Sequence, residues 1–499
     1  MTGTIMAVLD SSIVNVALPD MSGNLGVTIE EITWVVTSYI LAQVIVMPIT
    51  GLLASRFGRK RFYQASVILF TTASMACGLS GSLNTMIVFR VLQGFGGGVL
   101  LTVSQAILRE SFPAEEQGVA MGIYGLGVVL APAFGPTLGG WLTDQYSWPW
   151  IFFINAPIGV INILLVWRFI EDPPYLVREK GYIDWTGLGL LVVGLGALQI
   201  MLEQGQQDDW FSSTFITRLA VASAAGMVLF VWRELTIDRP AVNLKILRNV
   251  SLASATALGG VLGLALNASL FLLPVFLQRL LGFDAMQSGL TLMPRSLAMG
   301  VMMPIGGRFY NRLGPRALVG AGLVIAGLGF LQMSYLSTAV GFWDLFWPQV
   351  WQGVGFSLIF VALSTAALAT IEKPLMTAAA GLYNVVRQVM GSVGIAIAAT
   401  TLASSTDRYR EILSEDAGIS SAGPRWLSSI THAMVAKGAD PFTARQQALR
   451  VADGLIRRQA AVLAYNHVFA LVAVLILGGV PLVLLLRGGK PVDIEIVVE

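Results

Sequence analysis

A bundle of about fourteen membrane-crossing helices is the fold this sequence predicts, and three observations predict it. Of 499 residues 55% are apolar and only 12% charged, with a mean hydropathy of +0.73, where soluble domains carry about 25% charged residues. Long apolar stretches recur from one end to the other, and about 20 residues suffice for each crossing. These stretches, such as LLVVGLGALQIML and LVAVLILGGVPLVLLL, do not alternate in polarity, which excludes the short alternating strands of a membrane barrel. The predicted class is an all-α polytopic membrane protein.

Apolar stretches bounded by charges or Gly/Pro turns predict helices at 1–22, 32–54, 62–80, 85–108, 117–142, 150–169, 183–204, 214–233, 251–277, 286–307, 316–336, 345–369, 377–402 and 463–486. The first is barely long enough to cross, and Asp10 and Asn15 interrupt it. It lacks the charged leader and small-residue cleavage site of a signal peptide, so the helix is expected to begin upstream of this chain. The turn after the second helix carries Arg56, Arg59, Lys60 and Arg61. Later turns on that side carry Arg109; Arg168, Arg178 and Lys180; Arg233, Arg239, Lys245 and Arg248; Arg308, Arg312 and Arg316; Lys373; and Arg487 and Lys490. The short turns opposite carry two basic residues, Arg218 and Arg279. The positive-inside rule then predicts both termini on the cytoplasmic side. The last connection, 403–462, reads as a long outer loop whose second part, from Asp440-Pro441, has helical spacing toward the final helix.

An internal repeat organises the helices. MPITGLLASRFGRK from Met47 matches MPIGGRFYNRLGPR from Met303 at six of fourteen positions, RVLQGFGG from Arg90 parallels QVWQGVGF from Gln349, and GIYG from Gly122 parallels GLYN from Gly381. The three matches share a separation of 256 to 259 residues. Two homologous six-helix halves follow, at 1–170 and 251–499, with two inserted helices within 171–250 and the long periplasmic loop inside the second half. A parallel repeat of this kind is the physical basis of alternating access, in which two bundles rock about a site at the membrane midplane. No filter-like repeat of a channel is present.

The segments carrying the repeat are similar to motifs of the major facilitator superfamily. GLLASRFGRKR from Gly51 resembles its loop 2-3 signature, with Ser55 where that pattern usually has Asp. LDSSIVNVALP from Leu9, WVVTSYILA from Trp34, RVLQGFGGG from Arg90, APAFGPTLGGW from Ala131 and WIFFINAPIG from Trp150 resemble the fourteen-helix drug:proton antiporters of the EmrB/QacA type. The resemblance implies the major facilitator fold, proton-driven efflux of drugs, and an Arg90 associated with proton transfer. It implies a gating role for Gly51, Arg56, Gly58, Arg59 and Lys60, whose charges also read as an orientation signal and lipid-headgroup anchor. It also implies docking of a periplasmic adaptor and outer-membrane channel on the long loop, which otherwise reads as a solvated hairpin.

Ionisable groups inside a span are costly and mark pathways or partners. Those predicted here are Asp10, Arg90, Arg295 and Arg387, with Glu203 near an outer helix end. Burial favours a neutral carboxyl and a nearby arginine the charged form, so movement of Arg90 relative to Asp10 would switch it between holding and releasing a proton. The alternative is a permanent pair that ties helices together. Arg295 and Arg387 either attract anionic substrate groups or bond backbone carbonyls. Asn15, Tyr39, Gln43, Tyr124, Asn267, Phe271, Gln352, Tyr383, Asn384 and Arg387 mix aromatic faces with hydrogen-bonding tips and are the expected substrate-cavity lining. In the fifth helix Ala131, Gly135 and Gly139 recur every four residues among Pro132 and Pro136, a small-residue face expected to seal one half against the other.

The net charge of +2, from 31 basic and 29 acidic residues, offers no basic face for nucleic acid, and a single cysteine, Cys77, makes no internal disulfide. His432 and His467, thirty-five residues apart, make no metal site, and no GxxxxGK[ST] loop is present. No cofactor is expected, the proton gradient being the energy source, and the partners are small amphipathic molecules, protons and membrane lipids. The expected function is a proton-coupled efflux transporter rather than an enzyme. A dedicated exporter of one endogenous lipid or metabolite, or a non-transporting sensor, stays open.

Overall fold

The computed structural model describes residues 1–113, 115–173, 183–419 and 422–486, and no strand occurs among them. Twelve of its helices are long and apolar enough to cross a membrane. One of the twelve, Met286–Met333, is two rods joined at Gly314, whose φ of 75° breaks the helix. The 20-residue helix Arg59–Gly78 completes a series of fourteen.

In chain order the first bundle comprises α1 (Thr2–Leu25), α2 (Ile29–Phe57), α3 (Arg59–Gly78), α4 (Leu83–Ser111), α5 (Gln117–Gln145) and α6 (Trp150–Phe169). Then come the inserted α7 (Trp185–Gln204) and α8 (Thr214–Thr236). The second bundle has α9 (Val250–Leu280), α10 (285–313), α11 (315–333), α12 (Phe342–Ala369), α13 (Met376–Ile419) and α14 (Pro441–Gly478). Local chemistry sets the ends. α1 stops at Gly26, whose left-handed φ of 68° lets its N–H reach the Ser22 carbonyl. Before α2, Thr28 and Glu31 form a reciprocal capping box at 2.8 and 3.2 Å. Gly58 (φ 85°) between α2 and α3 and Gly314 (φ 75°) between α10 and α11 stand 256 residues apart. Each occupies backbone space that favours glycine, so the repeated motif builds the same turn in both halves.

Each bundle has its own apolar core. In the first, Tyr39, Val46, Phe70, Val99 and Leu100 form one layer, and Ile13, Val14, Met86 and Phe152 another. In the second, Leu258, Phe276, Phe330, Phe356 and Phe469 are fully buried together. The inserted α7 packs on α8 and touches both α2 and α13, so the hairpin spans the line where the bundles meet.

The bundles close on each other at the end that carries the basic turns. A Cβ on Gly122 of α5 would lie 2.6 Å from the Met303 carbonyl of α10, and one on Gly381 of α13 would strike the Met47 carbonyl of α2. A Cβ on Gly307 would strike the Gly118 carbonyl, and one on Gly51 would lie 2.6 Å from the Ala378 Cβ. The repeat separations of 256 and 259 residues convert Gly122–Met303 into Gly381–Met47, and take Gly307 to Gly51 with its neighbour Val119, 2.9 Å from a Cβ on Gly307, to Ala378. Two pseudo-symmetric seams, α5 on α10 and α13 on α2, therefore seal the basic end backbone against backbone.

Two expectations are corrected. The 403–462 stretch, read as an outer loop, is mostly helical. α13 continues to Ile419 and a short helix spans Ala422–Ala436, while the helical spacing read from Asp440-Pro441 does run into the last helix, α14 beginning at Pro441. Asp440 caps it by accepting from the Phe442 and Thr443 N–H groups at 3.1 and 3.2 Å. The loop reading weighed polarity, yet a helix that has left the membrane needs only one apolar face. Gly135 and Gly139, expected to seal the halves, instead meet Ser12 and Ile13 of α1 in their own bundle. Gly122 and Gly135 lie thirteen residues apart and so point about 140° away from each other; the face toward the other half is that of Gly118 and Gly122.

Replacing Gly122 with Val is expected to open the sealed end. Spin labels at the exposed Arg61 and Arg312 should move apart in the variant, and an unchanged distance distribution would refute the seam.

Candidate functional site

Asp10 on α1 is 1% exposed and sits in a polar cage within the first bundle. Arg90 Nη1 of α4 donates to its Oδ2 at 2.5 Å, while Gln93 Nε2 and Asn155 Nδ2 donate to its Oδ1 at 2.7 and 2.8 Å. Arg90 and Gln93 share a helix face because they are three residues apart, and Arg90 Nη1 also reaches Gln93 Oε1 at 2.7 Å. The guanidinium is held in place by donation from Nε to the Val35 carbonyl at 2.9 Å and by the Tyr39 ring, 4.1 Å below it. Tyr39 in turn donates to the Ala7 carbonyl at 2.8 Å. Asn155 extends the network to Ser74 Oγ at 3.0 Å. Satisfaction is incomplete, since Arg90 Nη2 and Asn155 Oδ1 are buried without partners. Such a network holds a charge in a dry site and retains a donor and an acceptor for another arrangement.

The second bundle contains the counterpart at the repeat spacing. Ser269 occupies the position 259 residues after Asp10, and Gln352 that after Gln93; Ser269 Oγ donates to Gln352 Oε1 at 3.2 Å. Arg295, 256 residues after Tyr39, donates to Ser269 Oγ at 2.6 Å. The carboxylate has been replaced by a hydroxyl, and Arg295, 3% exposed, forms no ion pair among the described residues.

A third group lies between the bundles. Asn384 Nδ2 of α13 donates to Gln105 Oε1 of α4 at 2.6 Å, and Arg387 Nη2 donates to Asn384 Oδ1 at 3.3 Å. The Arg387 guanidinium lies 5.9 Å from the Phe360 ring centroid, and Phe360 stacks with Tyr124 of α5 at 6.5 Å. Arg387 Nε and the Tyr383 hydroxyl are buried without partners. Of the expected cavity lining, Tyr124, Asn384 and Arg387 therefore meet at the junction of the halves, with Tyr383 beside them. Tyr39 and Gln43 are buried within the first bundle and Gln352 within the second. Tyr39 and Gln352 do not line a space between the bundles, because their hydrogen-bonding tips are taken up by neighbouring helices of their own bundle. Asn267 and Phe271 are half-buried, and Asn15 is exposed.

The expected gating residues divide by location. Gly51 is in a seam between halves, whereas Arg59 is 3% exposed and donates to Glu110 Oε2 at 2.6 Å within the first bundle. The Lys60 N–H donates to Asp172 Oδ1 at 2.7 Å and its ammonium to the Trp167 carbonyl at 2.9 Å. Arg56, half-buried, ends α2 beside Gly58. Ser55 Oγ turns back to the Leu52 carbonyl at 2.9 Å. Pro132 is half-buried and Pro136 exposed in α5, where neither supplies an N–H to the helix. Among the described residues no His, Cys, Asp or Glu cluster could hold a metal ion.

A family model described as Major Facilitator Superfamily matches residues 1–395. The chain belongs to this superfamily. As a member of this transporter family it is a multi-pass membrane protein rather than an enzyme. It is 34% identical to the fatty acid resistance protein FarB of Neisseria gonorrhoeae over 489 residues, 97% of this chain and 94% of that one. It is 37% identical to the multidrug export protein EmrB of Haemophilus influenzae over 395 residues, 79% of this chain and 77% of that one. Among solved structures, the human organic anion transporter MFSD10 matches with a TM-score of 0.59 at 14% identity, covering 95% of this chain and 97% of that one. That likeness is one of fold.

Within this superfamily member the sequence reading missed Gln93, Asn155, Ser74, Gln105 and Ser269. Gln93 was visible three residues after Arg90, whereas the repeat spacings of 256 and 259 take Asp10 to Leu266 or Ser269 and do not choose between them. Asn155 and Ser74 carried no comparable signal, because only packing of α6 on α3 brings them together.

Removing Arg90 leaves a buried carboxylate without its cation, which costs about 3–5 kcal/mol. Arg90→Met should lower the melting temperature in detergent sharply, and adding Asp10→Asn should recover part of the loss. A double variant no more stable than Arg90→Met would show that the two residues are uncoupled.

Proposed function

We propose that the chain is a proton-coupled exporter of amphipathic compounds, a drug:proton antiporter that works by alternating access. The observation that carries this reading is the Asp10 cage, an acid wholly buried in one rocking bundle and bonded to a cation on another helix. When Arg90 stays close, Asp10 holds its charge; when a shift of α4 against α1 within the bundle, accompanying rocking, draws Arg90 away, the stranded carboxylate takes a proton from the open side. Returning Arg90 expels that proton toward the other side. Each proton moving down 100 mV supplies about 2.3 kcal/mol, enough for about a fifty-fold gradient of a neutral compound.

With the basic end taken as cytoplasmic under the positive-inside rule, the glycine seams close the cytoplasmic side in this conformation. Both termini then lie in the cytoplasm, and the extensions of α13 and α14 project from the outer face of a bacterial inner membrane. Those extensions are the surface assigned to a periplasmic adaptor and, through it, an outer-membrane channel. The names of EmrB and FarB, multidrug export and fatty acid resistance, are consistent with an amphipathic cargo.

A second reading, a dedicated exporter of one lipid or metabolite, is favoured by Arg387. It stands at the junction of the bundles beside aromatic rings and has no ion-pair partner among the described residues, as suits a carboxylate on an apolar tail.

Purified protein in liposomes tests the coupling. Under an imposed pH gradient the wild type should accumulate a fluorescent amphipathic dye such as ethidium, and Asp10→Asn should lose at least about tenfold of that uphill flux while equilibrating dye downhill. Full uphill transport by the variant refutes the role of Asp10. Arg387→Ala should reduce transport of a fluorescent fatty acid about tenfold more than that of ethidium; equal losses would remove the anion-specific reading. Deleting residues 408–453 should abolish copurification of a periplasmic adaptor, and unchanged copurification removes that partner.

A further inference from the structure

The inserted hairpin holds a half-buried acid that the mechanism above does not use. Glu203 lies on the last turn of α7, where α7 meets α13. Gln199, one turn earlier and 0% exposed, donates from Nε2 both to Glu203 Oε1 at 2.9 Å and to Ser392 Oγ of α13 at 2.7 Å. Ser392 Oγ donates to Glu203 Oε1 over a longer 3.4 Å. A few residues on, Trp210 Nε1 donates to Thr400 Oγ1 at 2.8 Å. The hairpin is thus pinned to the second bundle by polar contacts at two heights. Against the first bundle the meeting is apolar, with Gly196 near Leu41 and Ile45 of α2.

Among the described residues no cation is paired with Glu203. On α13 the charged group within the membrane is Arg387, engaged with Asn384 and Phe360. On α2 the titratable group within the membrane is Tyr39, engaged with the Ala7 carbonyl and Arg90, while Glu30 and Glu31 at its outer end are exposed acids and Arg56 lies at the basic end. On α8, Arg233 is paired with Asp184 at the basic end and Arg218 is exposed. Asp208 and Asp209, just after α7, are exposed. At the same time Gln199 Oε1 is a buried acceptor with no donor. A bare carboxylate there lacks a counter-charge, whereas a carboxyl O–H supplies the donor that Gln199 Oε1 lacks, with Gln199 Nε2 still free to hold Ser392.

We propose that Glu203 is a second proton-binding site, placed where the inserted hairpin is pinned to the second bundle, and that a bound proton tightens that pin. The proton comes from water at the end of the membrane opposite the basic turns, converts the carboxylate to a carboxyl, and leaves as the carboxylate re-forms; no other reactant takes part. With the charge present, the site draws in water and the hairpin loosens from α13 while the Trp210–Thr400 contact remains. The proposal rests on the proton-coupled reading for its role in transport, but it is tested without transport.

Infrared difference spectra of the full chain in lipid nanodiscs, recorded between mildly acidic and mildly alkaline pH, report the C=O band of each carboxyl that gains a proton. Glu203→Gln should lose one such band, which Asp10→Asn should retain, so failure here and failure of the Asp10 mechanism are told apart. Ser392→Ala keeps the acid and removes its neighbouring hydroxyl; it should shift the midpoint of that band by about half a pH unit or more and serves if Glu203→Gln does not fold. Spin labels at the exposed Asp208 and Ser404 should give a narrower distance distribution at acidic pH in the wild type and a pH-independent one in Glu203→Gln. A Glu203→Gln spectrum that superimposes on the wild type, an unshifted band in Ser392→Ala, or a wild-type distribution that ignores pH overturns the proposal.

Discussion

Hydrocarbon supplies no hydrogen bonds, so every polar group carried into the membrane must find its partner inside the protein. The contact between Asp10 and Arg90 is where this constraint bears hardest. A full charge of each sign is removed from water on different helices, and neither is tolerable there alone. The position of α1 against α4 and α6 follows from it, because Gln93 and Asn155 must reach the same carboxylate and Tyr39 must underlie the guanidinium. A set of helices with no directional attraction between apolar faces acquires a defined register from this one ion pair.

The repeat makes the two bundles alike where they touch and unlike where they are polar. The glycine seams follow the pseudo-twofold relation, since Gly122 against Met303 becomes Gly381 against Met47. Backbone approach of this kind depends only on the absence of side chains, and symmetric seams let either bundle roll over the other. Inside the bundles the symmetry is broken: the first holds an acid with its cation, the second a cation bonded to a hydroxyl. On the reading proposed above, one exchangeable acid couples a proton to rocking, and the second bundle presents cations instead, at Arg295 within its core and at Arg387 toward the junction.

The hairpin of α7 and α8 adds a third body to this pair. Polar contacts join it to α13 and an apolar surface meets α2. It is therefore bonded to one bundle and in sliding contact with the other, and any charge that appears on Glu203 acts at the bonded side.

Composition and hydropathy by themselves determined that the chain crosses a membrane as helices, because no other backbone arrangement with such apolar surfaces satisfies its own hydrogen bonds in lipid. The repeated motifs determined the two halves, since a fixed separation is a property of sequence alone, while the positive φ at Gly58 and Gly314 is a property of the folded backbone. The identity of the buried acid and its arginine was legible for the same reason: a charge inside an apolar run stands out wherever the run folds. Tertiary structure decided the rest. Whether Gly135 or Gly122 faces the other bundle depends on helix rotation, to which a stripe of small residues is indifferent. The hydrogen-bond partners Asn155 and Gln105 come from helices distant in the chain, brought close only by packing. The 403–462 stretch is polar enough to read as a loop, yet once outside the membrane a helix needs only its neighbour to cover one face, and it is α13 and α14 lying side by side that supply that cover.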